Sequence, residues 1–260
     1  MTSARPTVVE YTLDLFAAEG GETHRNRDGW GIVFAEDRDA HVYREAEPAA
    51  DSALARMVIK RDIPTCHLIA HVRRASRGHP HIANTHPFSR VVDGLALHFA
   101  HNGTLHGIDD LAPELRHDCV GDTDSELAFL LLLEALANVP ADETEARFES
   151  FAAFCRAMSN LGSANFLFFD GSTLFAHAHR RIYETSTGLT EPKPPGLHLR
   201  HFAIEPDRDA WTSRGARIEN LHEETVLLAS VPLNETGWEP LAEGTVLALR
   251  DGAVLYQSKN

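Results

Sequence analysis

Residues 95–104 read Leu-Ala-Leu-His-Phe-Ala-His-Asn-Gly-Thr, an apolar run from Leu95 to Ala100 that ends abruptly in a polar segment. Such a run is typical of a buried β-strand, and loops at strand ends often carry functional groups. The side-chain amide of Asn102 and the backbone N–H of Gly103 can donate two hydrogen bonds to one developing oxyanion. Asn-Gly is also a common tight-turn dipeptide, and taken alone this segment is better explained as a turn.

Two further polar segments lie next to predicted regular elements. Arg73 to Gly78 follows the apolar strand Leu68 to Val72, and Gly121 to Glu126 leads into a helix predicted from Ser125 to Ala137. Each has an ordinary explanation when considered singly. The first is compatible with a solvated strand edge, and the second with an N-cap whose acidic residues lie at the positive end of the helix dipole.

Together the three segments predict a site for an amino acid that carries a side-chain amide. Arg73 can bind the α-carboxylate in a bidentate fork. Asp124 can bind the α-ammonium, and Asn102 with Gly103 can stabilise the oxyanion that forms at the amide carbon. Glycine suits the last position because its backbone must come close to the reacting carbon.

The periodicity of the chain predicts an α+β layered domain that spans residues 1–260. The last hundred residues are expected to form mostly strands, which flank a central helical pair. The predicted helices are Val8 to Ala18 with Thr7 as a possible N-cap, Asp51 to about Lys60, Ser125 to Ala137, and Asp142 to Met158.

Composition excludes several classes of function. The net charge of −14 repels phosphate backbones, so nucleic-acid binding is not expected. No apolar run approaches the roughly 20 residues that span a bilayer, so a cytoplasmic location is expected. Three cysteines without CxxC spacing and 16 histidines without an HExxH pattern predict neither a disulfide framework nor a metal site. No organic cofactor is expected.

Five motifs follow one another in an order that resembles class-II glutamine amidotransferase domains, in particular the stand-alone bacterial YafJ-like type. The motifs are Asp28-Gly29-Trp30-Gly31, Ala70-His71-Val72-Arg73-Arg74-Ala75-Ser76, Asn84-Thr85-His86-Pro87-Phe88, Phe99-Ala100-His101-Asn102-Gly103 and Asp122-Thr123-Asp124-Ser125-Glu126. The resemblance covers roughly residues 6 to 135 and continues more weakly towards the end of the chain.

The resemblance implies the αββα sandwich of the N-terminal-nucleophile hydrolases and release of ammonia from glutamine through a thioester. It implies that Asn102 and Gly103 form the oxyanion hole, and that Arg73 and Asp124 hold the carboxylate and the ammonium of the substrate. Ser76 stands where the family usually has threonine, and His86 is expected beside the pocket, where it helps to position the substrate.

The chain departs from the family at its start. The family nucleophile is a cysteine at the mature N-terminus whose free α-amine acts as the base, whereas residue 2 here is Thr2. The resemblance implies that about one strand, typically 5–6 residues, stands before Met1 in relatives. Of the internal cysteines, Cys66 is expected to be a small core residue, Cys155 is expected in a helix beside Phe151 and Phe154, and Cys119 is expected to be an inert loop thiol.

Three explanations of this departure remain open. The start can lie further upstream, which we favour; the chain can be a glutamine-binding pseudoenzyme or regulatory protein; or Thr2 can act as an N-terminal nucleophile, which fits the alignment worst. If the chain is active, its ammonia passes to a separate synthase, or another γ-glutamyl amide is hydrolysed instead.

Overall fold

Strands make up most of the structure. The computed structural model describes residues 1–11, 26–186, 188–202, 210–213, 216–219, 224–232 and 237–259. The strands of this part of the chain are β1 (Thr2–Tyr11), β2 (Trp30–Glu36), β3 (Asp39–Glu45), β4 (Pro64–Val72), β5 (Phe88–Val92), β6 (Leu95–Leu105), β7 (Gly162–Phe169), β8 (Leu174–Ala178), β9 (Glu184–Thr185), β10 (Gly188–Leu189), β11 (His198–Phe202), β12 (Ala210–Ser213), β13 (Ala216–Glu219), β14 (Thr225–Ala229), β15 (Glu239–Pro240), β16 (Thr245–Arg250) and β17 (Ala253–Lys259).

The helices are α1 (Ala53–Ile59), α2 (Asp124–Leu136) and α3 (Thr144–Ser159). The hydroxyl of Ser52 caps α1 by accepting a hydrogen bond from the N–H of Ala55 at 2.8 Å. The hydroxyl of Thr123 caps α2 in the same way, by accepting from the N–H of Glu126 at 3.2 Å. Three of the four predicted helices are therefore confirmed, with ends that shift by one or two residues.

Two sheets form the centre of the fold. The first has nine strands in the order β15-β11-β14-β1-β4-β2-β3, with β13 pairing with β1 and β12 pairing with β13. The second has six strands in the order β17-β16-β8-β7-β6-β5. Ile69 of the first sheet packs against Ala100, Phe169 and Leu174 of the second, so apolar side chains fill the space between the sheets.

Helices cover the outer faces of both sheets. An aromatic core joins α2 and α3 to the six-stranded sheet, where Phe151 and Phe168 lie 6.2 Å apart between ring centroids. On the other side, Ala55 and Val58 of α1 pack on Trp30 of the nine-stranded sheet. The layers follow the order α, β, β, α, which confirms the predicted α+β sandwich.

The helix predicted from Val8 to Ala18 is wrong over its first turn. Residues 8–11 belong to β1, where Val8 lies opposite Pro64 of β4 and Glu219 of β13. Valine and tyrosine favour extended backbone, and pairing of residues 8–11 with β13, and of Val8 also with β4, outweighs the weak helical periodicity. Residues 12–18 of the predicted helix lie outside the described part of the chain.

The predicted end of the strand at Ala100 is also wrong. β6 continues to Leu105, so residues 101–104 are extended and paired rather than a turn. Asn102 lies opposite Asn165 and Gly103 opposite Ala164 of β7. Polar residues interrupt the apolar pattern there, but hydrogen bonds to β7 continue, and backbone pairing rather than polarity decides where a strand ends.

Within the described residues, no helix is long and apolar enough to cross a membrane.

A buried ion pair ties α3 to the six-stranded sheet. Nε of Arg147 donates to Oδ2 of Asp170 at 2.8 Å, and the two side chains are only 7% and 2% exposed. Oδ1 of Asp170 accepts from the N–H groups of Ser172 and Thr173, which fixes the turn between β7 and β8. Loss of the arginine would leave the Asp170 charge buried without a cationic partner.

We predict that Arg147→Ala lowers the free energy of unfolding by about 3–5 kcal/mol, because it leaves an uncompensated buried carboxylate. The matched control is Arg180→Ala, which removes the half-exposed ion pair between Arg180 and Glu243 and should cost about 0–1 kcal/mol. Urea denaturation monitored by circular dichroism measures both values. Similar losses for the two variants would contradict this account.

Several histidines are buried between the layers. His98 and His177 are 1% and 0% exposed, and burial lowers the pKa of each imidazole to about 4. Nδ1 of His98 lies 2.8 Å from the hydroxyl of Ser89, and Nδ1 of His177 lies 2.5 Å from the carbonyl of Ala164. Both side chains are therefore neutral in the folded protein at neutral pH.

The folded-state pKa of each buried imidazole lies below the unfolded value of about 6.5. As the pH falls, these imidazoles therefore become protonated in the unfolded chain before they do so in the folded chain. The contribution of each buried histidine to the free energy of unfolding is therefore fully present above pH 6.5. The free energy of unfolding should fall by about 2 kcal/mol per buried histidine by pH 5. His177→Gln should remove one such contribution, whereas the exposed-site control His117→Gln should leave the pH dependence unchanged. Denaturant titrations between pH 7.5 and 5 measure this dependence, and identical slopes for both variants would refute it.

Candidate active site

Gly103 lies opposite Ala164, where the backbone of β7 comes close to that of β6. A Cβ atom at this position would lie 1.9 Å from the carbonyl oxygen of Ser163 and 2.7 Å from Nε2 of His101. Both distances are far below van der Waals contact, so only glycine fits. The requirement for glycine is therefore steric, and it arises from the partner strand.

Asn102, the neighbour of Gly103, has an exposed side chain and a tightly held backbone. Its carbonyl accepts a hydrogen bond from Nδ2 of Asn165 at 2.8 Å. Asn165 is 2% exposed; Nδ2 also donates to the carbonyl of Arg180 at 2.6 Å, while Oδ1 accepts from the N–H of His179 at 2.7 Å. Asn165 thus fixes the strand from which the Asn102 amide projects. The role of Asn165 is not predicted from the sequence; its only signal there is a polar residue between the apolar residues Ala164 and Phe166.

His101 joins three elements behind Gly103. Its ring is 2% exposed, with Nδ1 2.9 Å from the hydroxyl of Ser125 on α2 and Nε2 2.8 Å from the carbonyl of Ser163 on β7. Burial lowers the pKa of His101, while Asp124 opposes that shift. Since a carbonyl only accepts, the neutral ring carries its proton on Nε2 and accepts the Ser125 hydroxyl at Nδ1. This tautomer fixes the ring between β6, β7 and α2.

Arg73 follows β4 directly and is 3% exposed. Its Nη2 donates to the carbonyls of Arg77 at 2.8 Å and Gly78 at 3.1 Å. Its Nη1 donates to the carbonyls of Asp28 and His79 at the long distance of 3.4 Å. Among the residues that the structure describes, no carboxylate forms an ion pair with this guanidinium.

The charge of Arg73 is therefore compensated only at longer range. Burial lowers the pKa of the guanidinium, and the carboxylates of Asp28, Asp122 and Asp124 oppose that shift. A buried cation without a contacting anion is costly, and an anionic ligand would relieve that cost. Arginine at such a position is suited to receive a carboxylate.

Asp124 opens α2 and is 3% exposed. Its Oδ2 accepts a hydrogen bond from the N–H of Leu105 at 2.6 Å, two residues beyond Gly103. The positive end of the helix dipole favours the charged carboxylate there. The contact brings the predicted ammonium-binding residue to the end of β6 that carries Asn102 and Gly103.

Ser76 connects the Arg73 loop to the same strand. The hydroxyl of Thr104 donates to Oγ of Ser76 at 2.7 Å, and Nη1 of Arg77 contacts Oδ2 of Asp109 at 2.5 Å. The structure thus brings together the three segments that the sequence predicted to form one site.

The side-chain amide of Asn84 holds these loops together, a role that the sequence did not predict. It is 4% exposed, donates from Nδ2 to the carbonyl of His79 at 3.0 Å, and accepts at Oδ1 from the N–H of Asp122 at 3.0 Å. A Cβ atom at Gly121 would lie 2.2 Å from Oδ1 of Asn84. Glu126 holds the same loop by accepting from the N–H of Gly121 at 2.7 Å.

His86 is buried beside His71 and Phe88. It is 4% exposed, its ring centroid lies 4.3 Å from that of His71 and 4.6 Å from that of Phe88, and neither ring nitrogen has a hydrogen-bond partner in the described structure. Burial holds the pKa of His86 well below its usual value, so the ring is neutral. The predicted role of His86 in positioning the substrate stays a prediction.

None of the residues considered as alternative nucleophiles is activated. Thr2 is fully buried opposite His67, six residues along β4 from Arg73, which corresponds to about 20 Å at the rise of a strand. Burial raises the pKa of Cys66, Cys119 and Cys155 above the ordinary thiol value, which disfavours the reactive thiolate.

The start of β1 borders a gap in the nine-stranded sheet. The amine of Met1 donates to the carbonyl of Leu68 at 2.9 Å, and the N–H of Leu68 donates to the carbonyl of Met1 at 3.1 Å. This reciprocal pair belongs to the interior of an antiparallel ladder. Beyond it, residues 69–72 of β4 pair with β2 on one edge, and no strand of the described residues pairs with them on the edge that faces β14. We call this gap, bounded by residues 69–72 and 227–229, the strand cleft; it leads from Met1 to Arg73.

Among the described residues, no group of three or more histidine, cysteine, aspartate or glutamate side chains is placed to hold a metal ion.

Two solved structures share the fold of this chain. A predicted glutamine amidotransferase from Pseudomonas aeruginosa superimposes with a TM-score of 0.63, 23% identity, and coverage of 98% of this chain and 97% of that one. The glutamine phosphoribosylpyrophosphate amidotransferase of B. subtilis superimposes with a TM-score of 0.56 at 16% identity, and the match covers 98% of this chain but 49% of that one.

Sequence comparisons identify the family. The family model for class-II glutamine amidotransferases matches residues 1–260. An uncharacterized protein of Methanocaldococcus jannaschii is 32% identical over 251 residues, which covers 96% of this chain and 68% of that protein. The putative glutamine amidotransferase YafJ of Escherichia coli is 32% identical over 251 residues, which covers 94% of this chain and 93% of YafJ. The chain therefore belongs to the class-II glutamine amidotransferases.

Proposed function

We propose that this site binds glutamine, or a related γ-glutamyl amide, for release of ammonia from the side-chain amide. The buried guanidinium of Arg73, which lacks a contacting carboxylate, is the observation that carries the proposal. It lies at one side of a site whose other side holds the carboxylate of Asp124 and the exposed amide of Asn102. This set of charges and donors matches a zwitterionic amino acid with an amide at its far end.

Arg73 binds the α-carboxylate of the substrate. Its two Nη1 contacts are 3.4 Å long and therefore weak, so a carboxylate can replace them at little cost. The shorter contacts of Nη2 to Arg77 and Gly78 keep the guanidinium in place during that exchange.

Asp124 binds the α-ammonium. Its Oδ2 is held by the N–H of Leu105, and this contact leaves Oδ1 to accept from the substrate. Ser76, whose hydroxyl is exposed beside Thr104, adds a polar contact at the same rim. His86 does not contact the ligand in this proposal; it packs behind His71 and supports the wall of the site.

The reaction proceeds by attack of a thiolate on the amide carbon. Nδ2 of Asn102 and the N–H of Gly103 donate to the oxyanion of the tetrahedral intermediate. Collapse of that intermediate breaks the C–N bond, and the nitrogen leaves as ammonia after it takes up a proton. Water then hydrolyses the thioester to glutamate and regenerates the thiol.

The thiol comes from a strand that occupies the strand cleft and continues into Met1. In the register of Met1 with Leu68, the fifth residue before Met1 stands opposite Arg73. Alternation along the strand directs this residue towards the six-stranded sheet, since Met1 itself packs on the opposite side with α1. A cysteine at that position would face Asn102 and Gly103, with its α-amine free to act as the base.

A second candidate function is glutamine binding without catalysis. If no such strand is present, the pocket of Arg73 and Asp124 still suits a glutamine-binding pseudoenzyme or regulatory protein. Thr2 is not supported as a substitute nucleophile, because it is buried near the opposite end of β4. An active form would pass its ammonia to a separate synthase or would simply hydrolyse the amide, in a cytoplasmic setting and without an organic cofactor.

Binding of L-glutamine and L-glutamate tests the pocket alone. We predict that Arg73→Lys and Asp124→Asn each weaken binding by about 10- to 100-fold, because each removes a charge-assisted contact or its fork geometry. The exposed neighbours Arg74→Lys and Asp118→Asn are matched controls and should bind as the unmodified chain does. Isothermal titration calorimetry measures these affinities. Equal affinity of all four variants for these ligands would show that Arg73 and Asp124 do not take part in binding.

Activity tests the nucleophile separately. We predict that the chain from Met1 has no glutaminase turnover, and that a five-residue extension beginning with cysteine after removal of the initiator methionine gains turnover. Asn102→Ala in the extended protein should lower kcat by about 10²- to 10³-fold. Ammonia release is measured in a coupled assay.

The matched control is a four-residue extension that also begins with cysteine, so that the α-amine stays free while alternation directs the thiol to the α1 side of the sheet, and turnover should be absent. Turnover by both extended forms, or by the chain from Met1, would contradict the proposed register.

A further inference from the structure

Two cations, Arg181 and Lys193, lie on the strand segments beside the proposed oxyanion donors; we call them the cationic pair. Their backbones are joined by reciprocal hydrogen bonds, in which the N–H of each residue donates to the carbonyl of the other at 3.0 Å. Cζ of Arg181 lies 3.9 Å from the centre of the Tyr183 ring, and Nζ of Lys193 lies 5.2 Å from the same centre. One aromatic ring therefore holds both cations close together.

No carboxylate of the described residues forms an ion pair with either member of the cationic pair. Nε of Arg181 is buried and has no hydrogen-bond partner in this part of the chain. The neighbouring Arg180, in contrast, donates through Nε to Oε1 of Glu243 at 2.6 Å. Two adjacent cations without a contacting anion favour the binding of an anionic ligand, and arginine presents a fork that suits a carboxylate or a phosphate.

Asn165 fixes where the cationic pair lies relative to the site. Its Nδ2 donates both to the carbonyl of Asn102 at 2.8 Å and to the carbonyl of Arg180 at 2.6 Å. Arg181, the next residue, is therefore separated by a single side-chain amide from the strand that carries Asn102. A Cβ atom at Gly196 would lie 1.7 Å from Oδ1 of Asn165, so the segment that leads into β11 packs against the same amide.

Arg181 and Arg73 lie on opposite flanks of the site. Arg181 is close to His198 at the start of β11, where burial and then the Arg181 charge lower the pKa of the imidazole. His198 lies opposite Ala229 at the end of β14, whereas Arg73 directly follows β4. Since β14 and β1 separate β11 from β4 in the sheet, the two flanks are three strand spacings apart, or about 14 Å.

The proposed oxyanion donors stand between these flanks. On one side, Thr104 of β6 contacts Ser76 in the loop after Arg73. On the other side, Asn165 links Asn102 to the segment of the cationic pair. A glutamyl group with its α-carboxylate at Arg73 and its amide carbonyl at the donors therefore directs the amide nitrogen towards the cationic pair. Glutamine carries only hydrogens on that nitrogen and ends short of the two cations.

We propose that the substrate is a γ-glutamyl amide whose amine portion carries a carboxylate or a phosphate, and that the cationic pair binds this second anion. The inference rests on the proposed function and specifies the substrate class of the same site. Attack of the thiolate breaks the bond between the amide carbon and the nitrogen, and the amine leaves with its anionic group after it takes up a proton. Water then hydrolyses the thioester to glutamate.

Binding to the chain from Met1 tests the substrate class, since this chain is expected to leave the ligand intact. The probes are γ-L-glutamylglycine, which carries a carboxylate, and γ-L-glutamyl-aminomethylphosphonate, which carries a phosphonate in its place. The matched neutral ligand is γ-L-glutamylglycinamide, and L-glutamine lacks the amine portion. Isothermal titration calorimetry measures the four affinities.

At least one anionic probe should bind about tenfold more tightly than the glycinamide, because a hydrogen bond to a charged group contributes more than a neutral one. The relative affinities of the carboxylate and the phosphonate identify the anion. The double variant Arg181→Gln/Lys193→Gln should abolish the preference for the anionic probe. L-Glutamine binding checks that the remainder of the pocket is intact in this variant.

The matched control is Lys60→Gln/Arg61→Gln, which changes the net charge by the same amount. Both residues are exposed and precede β4, at the end of that strand opposite to Arg73. This control should keep the full preference for the anionic probe.

Equal affinity of the anionic probes and the glycinamide, or a preference that survives in Arg181→Gln/Lys193→Gln, would overturn the proposal. If L-glutamine binds in that case, the proposed function stands and only the substrate class is wrong. If neither L-glutamine nor any probe binds, the proposed function fails as well. The comparison of ligands on the unmodified chain decides the matter even if the double variant does not fold.

Discussion

The close pairing of β6 with β7 is the constraint on which the rest of the site depends. The carbonyl of Ser163 comes so near to Gly103 that no Cβ atom can be accommodated, and Asn165 holds the carbonyl of Asn102 from the same strand. These contacts fix the backbone that carries the two proposed donors, the side-chain amide of Asn102 and the N–H of Gly103, on a strand rather than on a loop. Preorganised donors of this kind are effective because they need no reorganisation when charge develops.

Charge is then arranged around that rigid strand. Arg73 is tied to backbone carbonyls rather than to a carboxylate, and Asp124 is held at the start of α2 by the N–H of Leu105. Each group is buried and positioned, and each retains capacity for an external partner. The side-chain amides of Asn84 and Asn165 also support this arrangement, because their hydrogen bonds hold the neighbouring loops and strands in place.

Sequence patterns predicted the layered fold and the meeting of the three polar segments, because apolar periodicity and motif order are local properties. They failed where pairing decides the outcome. Residues 8–11 are a strand because β13 pairs with all four of them and β4 with Val8, and residues 101–104 remain extended because β7 continues beside them. The roles of Asn84 and Asn165 could not be predicted, since each depends on backbone groups distant in the chain. The proposed roles of Arg73, Ser76, Asp124, Asn102 and Gly103 remain predictions.

The central claim concerns the pocket itself, and a crystal structure of the chain with bound L-glutamate tests it most directly. We expect the α-carboxylate at Nη1 of Arg73, the α-ammonium at Asp124, and the γ-carboxylate at Nδ2 of Asn102 and the N–H of Gly103. Glutamate bound elsewhere, or bound with Arg73 still on all four carbonyls, would contradict the account.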